Sequence, residues 1–359
     1  MANKSNVPAI RFKGFTDAWE QRKVAELFRV TRGYVLAATQ TEVSKTDENP
    51  YPVYSSQTKD KGLMGYYKDY LYEDAITWTT DGANAGTVNY RAGKFYCTNV
   101  CGVLLSNEVE ANQMIAEALN NVAKGYVSYV GNPKLMNNVM ADILIQIPKQ
   151  AEERKHLSSF FANLDNLITL HQRKYEQLIN IKKSLLEKMF PADGEDKPKI
   201  RFKGFTDAWE QRKAKELCSI GTGKSNTQDQ NQDGKYPFYI RSDTPVKSDK
   251  YLYDCEAVIT IGDGNIGKVF HYINGKFDLH QRCYKMTDFQ DITGKYFYYY
   301  FSTMFYDRAM KMTAKATVDS VRLEMISEMD FLKPNQILEQ KKISSLFDNL
   351  DNLITLHQR

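Results

Sequence analysis

The fourteen residues IRFKGFTDAWEQRK occupy positions 10–23, and the same fourteen residues return without a change at positions 200–213. A second identical pair, NLDNLITLHQR, occupies positions 163–173 and 349–359. Repeats in a fixed order define the architecture of a chain before any single motif does. We name the first pair segment A and the second pair segment B. The chain then has the order A-X-B-A-Y-B, in which the intervening sequences X and Y are of nearly equal length.

Segment B and the residues around it predict a long helix with one apolar stripe. The stripe follows alternating steps of four and three residues, which is the a/d seam of a coiled coil. It runs from Leu157 to Met189, with polar interruptions at His171 and Lys182, and stops before Pro191. The seam residues are Leu157, Phe161, Leu164, Ile168, Leu178 and Leu185 in the first copy and Ile343, Phe347, Leu350 and Ile354 in the second.

A stripe of this length needs a partner, and the two copies can supply each other as an antiparallel pair. The first copy continues as KYEQLINIKKSLLEKMF, whereas the second reaches Arg359 at the end of the sequence. We therefore expect the distal helix to be truncated. His171 and His357 occupy matching seam positions, where a packed or paired histidine is the simple interpretation and a pH-sensitive contact is the alternative.

Sequences X and Y predict β-rich domains of one fold. YPVY (51–54) matches YPFY (236–239), and YLYEDAITWTTDGANAGTVNY (70–90) matches YLYDCEAVITIGDGNIGKVFHY (251–272). β-branched and aromatic runs separated by Asp-Gly and Asn-Gly pairs are typical of strands and turns. Outside these anchors the polar residues of X and Y differ. Two matched scaffolds with unmatched loops fit two copies of one partner and two unlike targets, as in a twofold protein that meets two DNA half-sites at a fixed separation.

Composition narrows the class of protein. The 359 residues are 42% hydrophobic and 26% charged, with no apolar run of the roughly eighteen residues that a membrane span requires. The start, MANKSNVPAIRFKG, lacks the apolar stretch of a secretory signal, so we expect a cytoplasmic protein. A formal charge of +4 permits nucleic-acid binding through local patches without requiring it. Five cysteines without a C-x-x-C pair argue against a disulfide framework, and we predict no metal site.

Two glycine-rich motifs suggest nucleotide binding but lack its context. GDGNIG (262–267) fits G-x-G-x-x-G, yet strand-forming residues follow it where a helix is required. GTGKS (221–225) has Cys218 at the position of the first glycine of a P-loop. No catalytic triad order, H-E-x-x-H helix or Asn-Pro-Pro tetrad of an adenine methyltransferase is present. The sequence therefore names no catalytic residues.

In the order of its segments the chain resembles the specificity (S) subunits of type I restriction-modification enzymes. The resemblance covers nearly the full length, through segment A, the helix FFANLDNLITLHQRKYEQLINIKKSLLEKMF and the two strand-turn runs within X and Y. It implies an α/β fold with two β-rich target recognition domains joined by two long antiparallel coiled-coil helices, in an internal pseudo-twofold repeat. The expected boundaries are 1–149 for the first recognition domain, 150–191 for the central spacer helix, 192–335 for the second recognition domain and 336–359 for the truncated distal helix.

The resemblance also implies a function. The chain would be a subunit without a catalytic site, in a complex that acts as a site-specific deoxyribonuclease and an adenine-specific DNA methyltransferase. Each recognition domain would read one half of an asymmetric bipartite duplex DNA site, and the helices would set the spacing and dock two methyltransferase (M) subunits. Restriction (R) subunits would join through M. No cofactor is expected on this chain, because S-adenosylmethionine, ATP and Mg are expected on the partner subunits, and no membrane is involved.

Base readout requires particular side chains on loops or strand edges: Arg or Lys for guanine, Asn or Gln for adenine, and Ser or Thr for either. The candidates in the first domain are Ser55, Ser56, Gln57, Lys59, Thr79, Thr80, Asn84, Arg91 and Asn99. The candidates in the second domain are Arg241, Ser242, Asp243, Asp263, Asn265, Lys268, His280, Gln281 and Arg282. Residues that differ between the domains are the better candidates for specificity, whereas Asn84 and Asn265, at matching places, fit a structural turn at least as well.

Two alternatives stay open on the sequence. A coiled-coil adaptor whose two domains bind proteins would show neither sequence-specific nor steeply salt-dependent binding to duplex DNA, whereas a DNA reader would show both. The repeated aromatic residues of segment A are either a docking patch for M subunits or anchors that hold each domain on its helix.

Overall fold

A computed structural model describes residues 7–57, 59–192, 194–313 and 320–358. The chain folds into two compact units, Met1–Thr169 and Leu170–Arg359, and each contains one six-stranded sheet and one two-stranded sheet. The boundary between the units falls inside a long helix. The two units are therefore described in turn.

The first unit carries sequence X on a six-stranded sheet in the order β2-β7-β5-β6-β3-β4, and β1 pairs with β8 in the two-stranded sheet. The pair β3 and β6 is parallel, and the other pairs are antiparallel. The strands are β1 (Glu20–Lys23), β2 (Phe28–Arg32), β3 (Tyr51–Tyr54), β4 (Leu63–Tyr67), β5 (Tyr72–Thr79), β6 (Val88–Cys97), β7 (Cys101–Ser106) and β8 (Leu144–Ile147). The helices are α1 (Val24–Leu27), α2 (Gln113–Ala123) and α3 (Asn137–Asp142).

The core of the first unit forms where β5 and β7 meet α2. The β-branched and aromatic residues of β5 favour a strand, and its second half is buried on both faces from Ala75 to Thr79. Gly102 on β7 lies opposite Trp78, and a Cβ on Gly102 would stand 2.0 Å from the indole ring. Asn112 caps the N-terminus of helix α2, because its side chain accepts a hydrogen bond from the backbone N–H of Ile115.

The second unit carries sequence Y on a sheet of the same plan, in the order β10-β15-β13-β14-β11-β12, and β9 pairs with β16. Again one pair, β11 with β14, is parallel. The strands are β9 (Glu210–Lys213), β10 (Ser219–Thr222), β11 (Tyr236–Tyr239), β12 (Val246–Ser248), β13 (Tyr253–Ile261), β14 (Phe270–Leu279), β15 (Cys283–Thr287) and β16 (Asp330–Lys333). The prediction that X and Y share one fold is confirmed. GDGNIG joins the antiparallel strands β13 and β14 and opens no helix.

The two domains differ in the length of the helix that packs on the sheet. The second unit has α5 (Ala214–Leu217), α6 (Gly294–Thr313) and α7 (Leu323–Ser327). Helix α6 has 20 residues against 11 in α2. Its rings at Phe297, Phe301 and Phe305 are fully buried and pack in a cluster that includes Phe331 of β16.

The two segment-B helices are α4 (Ala151–Met189) and α8 (Ile337–Gln358). Within the second unit the end of α4 runs antiparallel to α8, because Lys182 pairs with Asp351 while the Nδ1 atoms of His171 and His357 lie 2.9 Å apart. Leu178 and Leu185 pack in one cluster with seam residues of α8: Ile343, Phe347, Leu350 and Ile354. Among the described residues, no helix is both long and apolar enough to cross a membrane.

The residues in the first half of the predicted seam differ in burial. Leu157 and Phe161 pack against the core of the first recognition domain, whereas Leu164 and Ile168 are 39% and 55% exposed. The steps of four and three correctly place these residues on one face of a helix. The pattern does not determine what covers that face, and here the neighbouring domain covers part of it.

Each copy of segment A packs on the helix of its own unit. Arg11 forms two hydrogen bonds with Glu153, and Arg201 forms two with Glu339. The rings of Phe12 and Phe15 lie 6.1 and 5.7 Å from the ring of His156 on α4. These contacts support the interpretation of the repeated aromatic residues as anchors, although Phe12 remains 40% exposed.

Candidate nucleic-acid interface

Each domain has a polar cleft beside the turn that follows β5 or β13, and the equivalent residues Ser55 and Ile240 line the first and the second cleft. The first cleft has a volume of about 240 Å³ and the second about 270 Å³. Hydroxyl and amide side chains line much of the first cleft, including Ser55, Gln57, Thr79 and Asn84. The residues lining the second cleft are Thr227, Ile240, Arg241, Asp263, Gly264 and His280.

A tight turn over residues 59–62 forms one wall of the first cleft. Asp60, Lys61 and Gly62 have φ of 50°, 52° and 90°, and a Cβ on Gly62 would stand 2.7 Å from the carbonyl oxygen of Ser55. The N–H of Ser55 donates to the carbonyl of Gly62 at 2.8 Å. On the helix side, the Nζ of Lys61 lies 2.9 Å from a carboxylate oxygen of Asp165 on α4.

The buried side chain of Arg91 supports this turn through hydrogen bonds. Its Nη2 donates to the carbonyl oxygen of Lys61 at 2.6 Å, and its Nε donates to Oγ1 of Thr77 at 3.1 Å. The guanidinium lies 3.7 Å from the ring centroid of Tyr54. Arg91 is only 7% exposed, and this burial lowers its pKa from the ordinary value for arginine. These contacts make Arg91 a support for the cleft wall, because its Nε and Nη2 both donate to protein atoms.

The other candidates of the first domain lie at different depths. Gln57 and Asn99 are exposed, and Ser55, Ser56 and Asn84 are half-buried. The amide of Asn84 donates to the carbonyl of Ser56 at 3.1 Å, and the amide of Gln57 donates to the carbonyl of Leu63. Thr79 and Thr80 are buried, and the side chain of Lys59 lies outside the described residues.

In the second domain, two arginines from different loops meet on one carboxylate. Nη1 of Arg241 lies 3.2 Å from both oxygens of Asp263, and Nη1 of Arg282 lies 2.8 Å from Oδ2. Partial burial would raise the pKa of Asp263, but hydrogen bonds from Arg282 and Arg241 outweigh it and hold the pKa below the ordinary value. The carboxylate is therefore ionised at neutral pH.

His280 lies beneath this cluster. It is 5% exposed, and its Nδ1 accepts a hydrogen bond from the backbone N–H of Arg282 at 3.1 Å. Burial lowers the pKa of His280, and the positive charge of Arg241 lowers it further. His280 is thus a neutral, buried support for the loop that carries Arg282.

The remaining candidates of the second domain lie around the cleft. Asp243, Asn265, Lys268 and Gln281 are exposed, whereas Ser242 is half-buried. The amide of Gln281 donates to Oδ1 of Asn226. Asn226 and Thr227 were missed by the sequence analysis, although both belong to the polar run NTQDQNQDG that follows GTGKS.

Backbone hydrogen bonds fix which positions of the two domains correspond. In the first domain, the backbone N–H of Thr98 donates to the carbonyl of Tyr54, and that of Thr80 donates to the carbonyl of Val100. In the second domain, the matching bonds run from His280 to Tyr239 and from Gly262 to Arg282. Counting from these bonds, three exchanges follow in the loops around the clefts: Ser56 against Arg241, Asn99 against Gln281, and Val100 against Arg282. Asp81 and Asp263 occupy the same place. The scaffold is shared, whereas the side chains on it are not.

Comparison with known proteins identifies this pair of domains. Residues 16–180 and 206–359 each match the family model of the type I restriction modification DNA specificity domain. The chain belongs to this family. It is the specificity (S) subunit of a type I restriction-modification system, with one specificity domain in each repeat, as the sequence resemblance predicted.

Relatives in Mycoplasma pneumoniae agree with this assignment. One relative is described as the N-terminus of the type I specificity subunit S.MpnORF289P. It is 38% identical over 136 residues, which are 37% of this S subunit and 71% of the relative. The specificity subunit of the type I restriction enzyme MpnII is 32% identical over 165 residues, 45% of this chain and 48% of the relative.

Solved structures support the fold of the S subunit. The crystal structure of the type I S subunit from M. genitalium matches with a TM-score of 0.73 and 14% identity, over 99% of this chain and 94% of that chain. A chain from a study of complex assembly and conformational transition of the type I system matches with a TM-score of 0.50 and 14% identity, over 97% and 93%. At such identities the likeness concerns the fold, and it confirms the predicted repeat of two β-sheet domains with long helices.

Proposed function

We propose that this S subunit reads an asymmetric bipartite duplex DNA site, with one recognition domain for each half. One observation carries the proposal: the two domains have the same strand order and matching backbone hydrogen bonds, yet they place different side chains at equivalent positions of the loops around the clefts. Ser56 and Asn99 occur in the first domain where Arg241 and Gln281 occur in the second. Because amide, hydroxyl and guanidinium groups prefer different base edges, the two clefts would read different half-sites.

The matched parts of the chain would serve the shared partners. The ion pair of Arg11 with Glu153 and that of Arg201 with Glu339 give each unit the same junction between segment A and helix. A chain with two equivalent units would suit two copies of one M subunit, and R subunits would join through M. The S subunit itself would have no catalytic site and no cofactor, because S-adenosylmethionine, ATP and Mg would be bound by the partners. The complex would work in the cytoplasm.

Methylation mapping tests this function directly. The S subunit is produced in cells with the M subunit of its own system, and long-read sequencing then locates modified adenines in the cellular DNA. We expect one split motif of two short, unlike halves around a fixed gap, with an adenine modified in each half. If M is shown to be present and bound but no new motif appears, the proposal fails and the protein-binding adaptor becomes the better interpretation.

An exchange of one domain separates the two halves. Replacing residues 24–146 by the corresponding sequence of another S subunit should change one half of the motif and leave the other half and the gap unaltered. Loss of recognition at both halves would contradict the assignment of one half-site to each domain. The unexchanged second domain serves as the internal control.

A further inference from the structure

The cluster of Arg241, Asp263 and Arg282 is a feature of the second domain alone. Asp263 has a counterpart in Asp81, but Asp81 contacts Thr80 through a hydrogen bond of 2.6 Å and Lys134 through an ion pair of 3.7 Å. No arginine occupies the matching positions of the first domain, where Ser56 and Val100 are found. The same carboxylate position therefore holds two guanidinium groups in one domain and none in the other.

The geometry leaves the arginines able to bind a further acceptor. Arg241 and Arg282 each contact Asp263 through Nη1. Within the part of the chain that the structure describes, Nε and Nη2 of these two side chains make no hydrogen bond. The side chains of Arg241 and Arg282 are 46% and 61% exposed, whereas that of Asp263 is 22% exposed. The carboxylate thus lies deeper than the two groups it holds, and the free edges of the guanidinium groups remain accessible at the cleft.

We propose that Arg241 and Arg282 read guanine in the half-site of the second domain, and that Asp263 is the positioning residue that aims both. The inference rests on the proposed function and specifies the bases for one of its two sites. A guanidinium donates two parallel hydrogen bonds to O6 and N7 of guanine, which is the most common specific contact in the major groove. Two such groups on one carboxylate predict two guanines within this short half-site.

The carboxylate would act through both attraction and repulsion. A free, exposed arginine contacts phosphates of any sequence, which strengthens binding without specifying a base. Asp263 holds one nitrogen of each guanidinium and repels the phosphate backbone, so the remaining donors are directed to base edges. Holding both side chains in place before binding also reduces the conformational entropy lost on binding. An ordinary surface ion pair, by contrast, would stabilise the fold slightly and leave specificity unchanged.

Selection from a library of randomised duplex DNA tests the proposal, with the S subunit bound to its M subunits. We expect the wild-type complex to enrich a split motif with two guanines in the half assigned to the second domain. Arg241→Ala and Arg282→Ala should each relax one of these positions by about 5- to 150-fold, the range of one bidentate base contact. Asp263→Asn should relax both positions and also increase affinity for unselected duplex, with a steeper dependence on salt. A merely structural ion pair would not produce this increase.

The matched control is Asp81→Asn in the first domain, which should leave both guanine positions unchanged. Thermal melting confirms that each variant is folded. If the wild-type complex enriches a split motif but neither half loses guanine preference in the arginine variants, the guanine assignment is wrong and the proposed function stands. If Asp263→Asn keeps wild-type discrimination and wild-type affinity for unselected duplex, Asp263 is not a positioning residue. If the wild-type complex enriches no motif, the proposed function and the inference fall together.

Discussion

Arg11 and Glu153 form a two-point ion pair, with Nε 2.6 Å from one carboxylate oxygen and Nη2 2.7 Å from the other. Glu153 is 1% exposed, although it lies in the first turn of α4. Arg201 and Glu339 repeat the arrangement at 2.7 and 2.8 Å, and Glu339 is also 1% exposed. Each copy of segment A thus supplies the cation for a buried acid in the first turn of the helix in its own unit.

Glu153→Gln should therefore destabilise the first unit, and Glu339→Gln the second. Each change removes the negative partner of a two-point, charge-assisted contact at a buried site. We expect the melting temperature to fall by roughly 3–12 °C, the range for losing such a bond in a domain of this size. Glu26→Gln is the matched control, because Glu26 pairs with Arg22 on the surface. The side chain of Arg22 is 35% exposed and that of Glu26 is 48% exposed. An equal loss in the control would show that burial is not the cause.

Tyr299 should contribute more to stability than its neighbour Tyr298. Its hydroxyl donates to Asp348 at 2.8 Å or to Asp351 at 2.9 Å, both on α8, and burial together with these carboxylates raises its pKa. Tyr299→Phe leaves two carboxylates of α8 with one donor fewer and should cost roughly 1–3 kcal/mol in the free energy of unfolding. Tyr298→Phe is the control, because no hydrogen bond of its hydroxyl is recorded among the described residues. Urea denaturation compares the two variants, and equal midpoints would contradict the prediction.

The second domain should lose stability in mild acid. Burial lowers the pKa of His271 despite its hydrogen bond to Ser242 and the nearby charge of Asp243, and burial with Arg241 lowers that of His280. Because both folded-state pKa values lie below the unfolded value of about 6.5, the folded domain binds fewer protons than the unfolded chain. The stabilisation is complete above that pH and is lost as the pH falls towards the folded-state values.

Hydrogen exchange at pH 7.5 and pH 5.5 measures this effect in each domain separately. The amides of β13 to β15 should lose protection at the lower pH. The double variant His271→Gln, His280→Asn retains the polar atoms that contact Ser242 and Arg282 but does not titrate, so its pH response should be smaller. An unchanged response in the double variant would assign the acid sensitivity to other groups.

Arg91→Lys should lower the stability of the first domain and relax recognition of the first half-site, without affecting the second domain. Lysine keeps the charge but cannot donate to Lys61 and Thr77 together as the planar guanidinium does. We expect a loss of roughly 1–3 kcal/mol in stability, because a buried charge-assisted contact is broken. The turn over residues 59–62 would lose its support, and methylation mapping should show relaxed discrimination in the first half-site alone. Relaxation of both half-sites would contradict the separate action of the two clefts.

Much of the fold could be predicted because it depends on short-range patterns that occur twice. Alternating steps of four and three residues place Leu178 and Leu185 on one helical face, and strand-turn signals around Asp81 and Asp263 mark equivalent hairpins. Periodicity also places Leu164 and Ile168 on that face, where they are 39% and 55% exposed. A sequence pattern gives the direction of a side chain relative to its own helix and says nothing about the element opposite.

The candidate sites also divide into what the sequence predicts and what tertiary contacts decide. Residue chemistry selected Arg91, Arg241 and Arg282 as candidates for base contacts, and the difference between the two domains favoured Arg241 and Arg282 for specificity. The amino-acid sequence by itself determined the two-domain repeat, the long helices and the family, because these follow from local periodicity and from the order of identical segments. Only the tertiary structure decided that Arg91 is buried beneath a turn while Arg241 and Arg282 meet on Asp263, because contacts between distant strands and loops set burial and the direction of each donor.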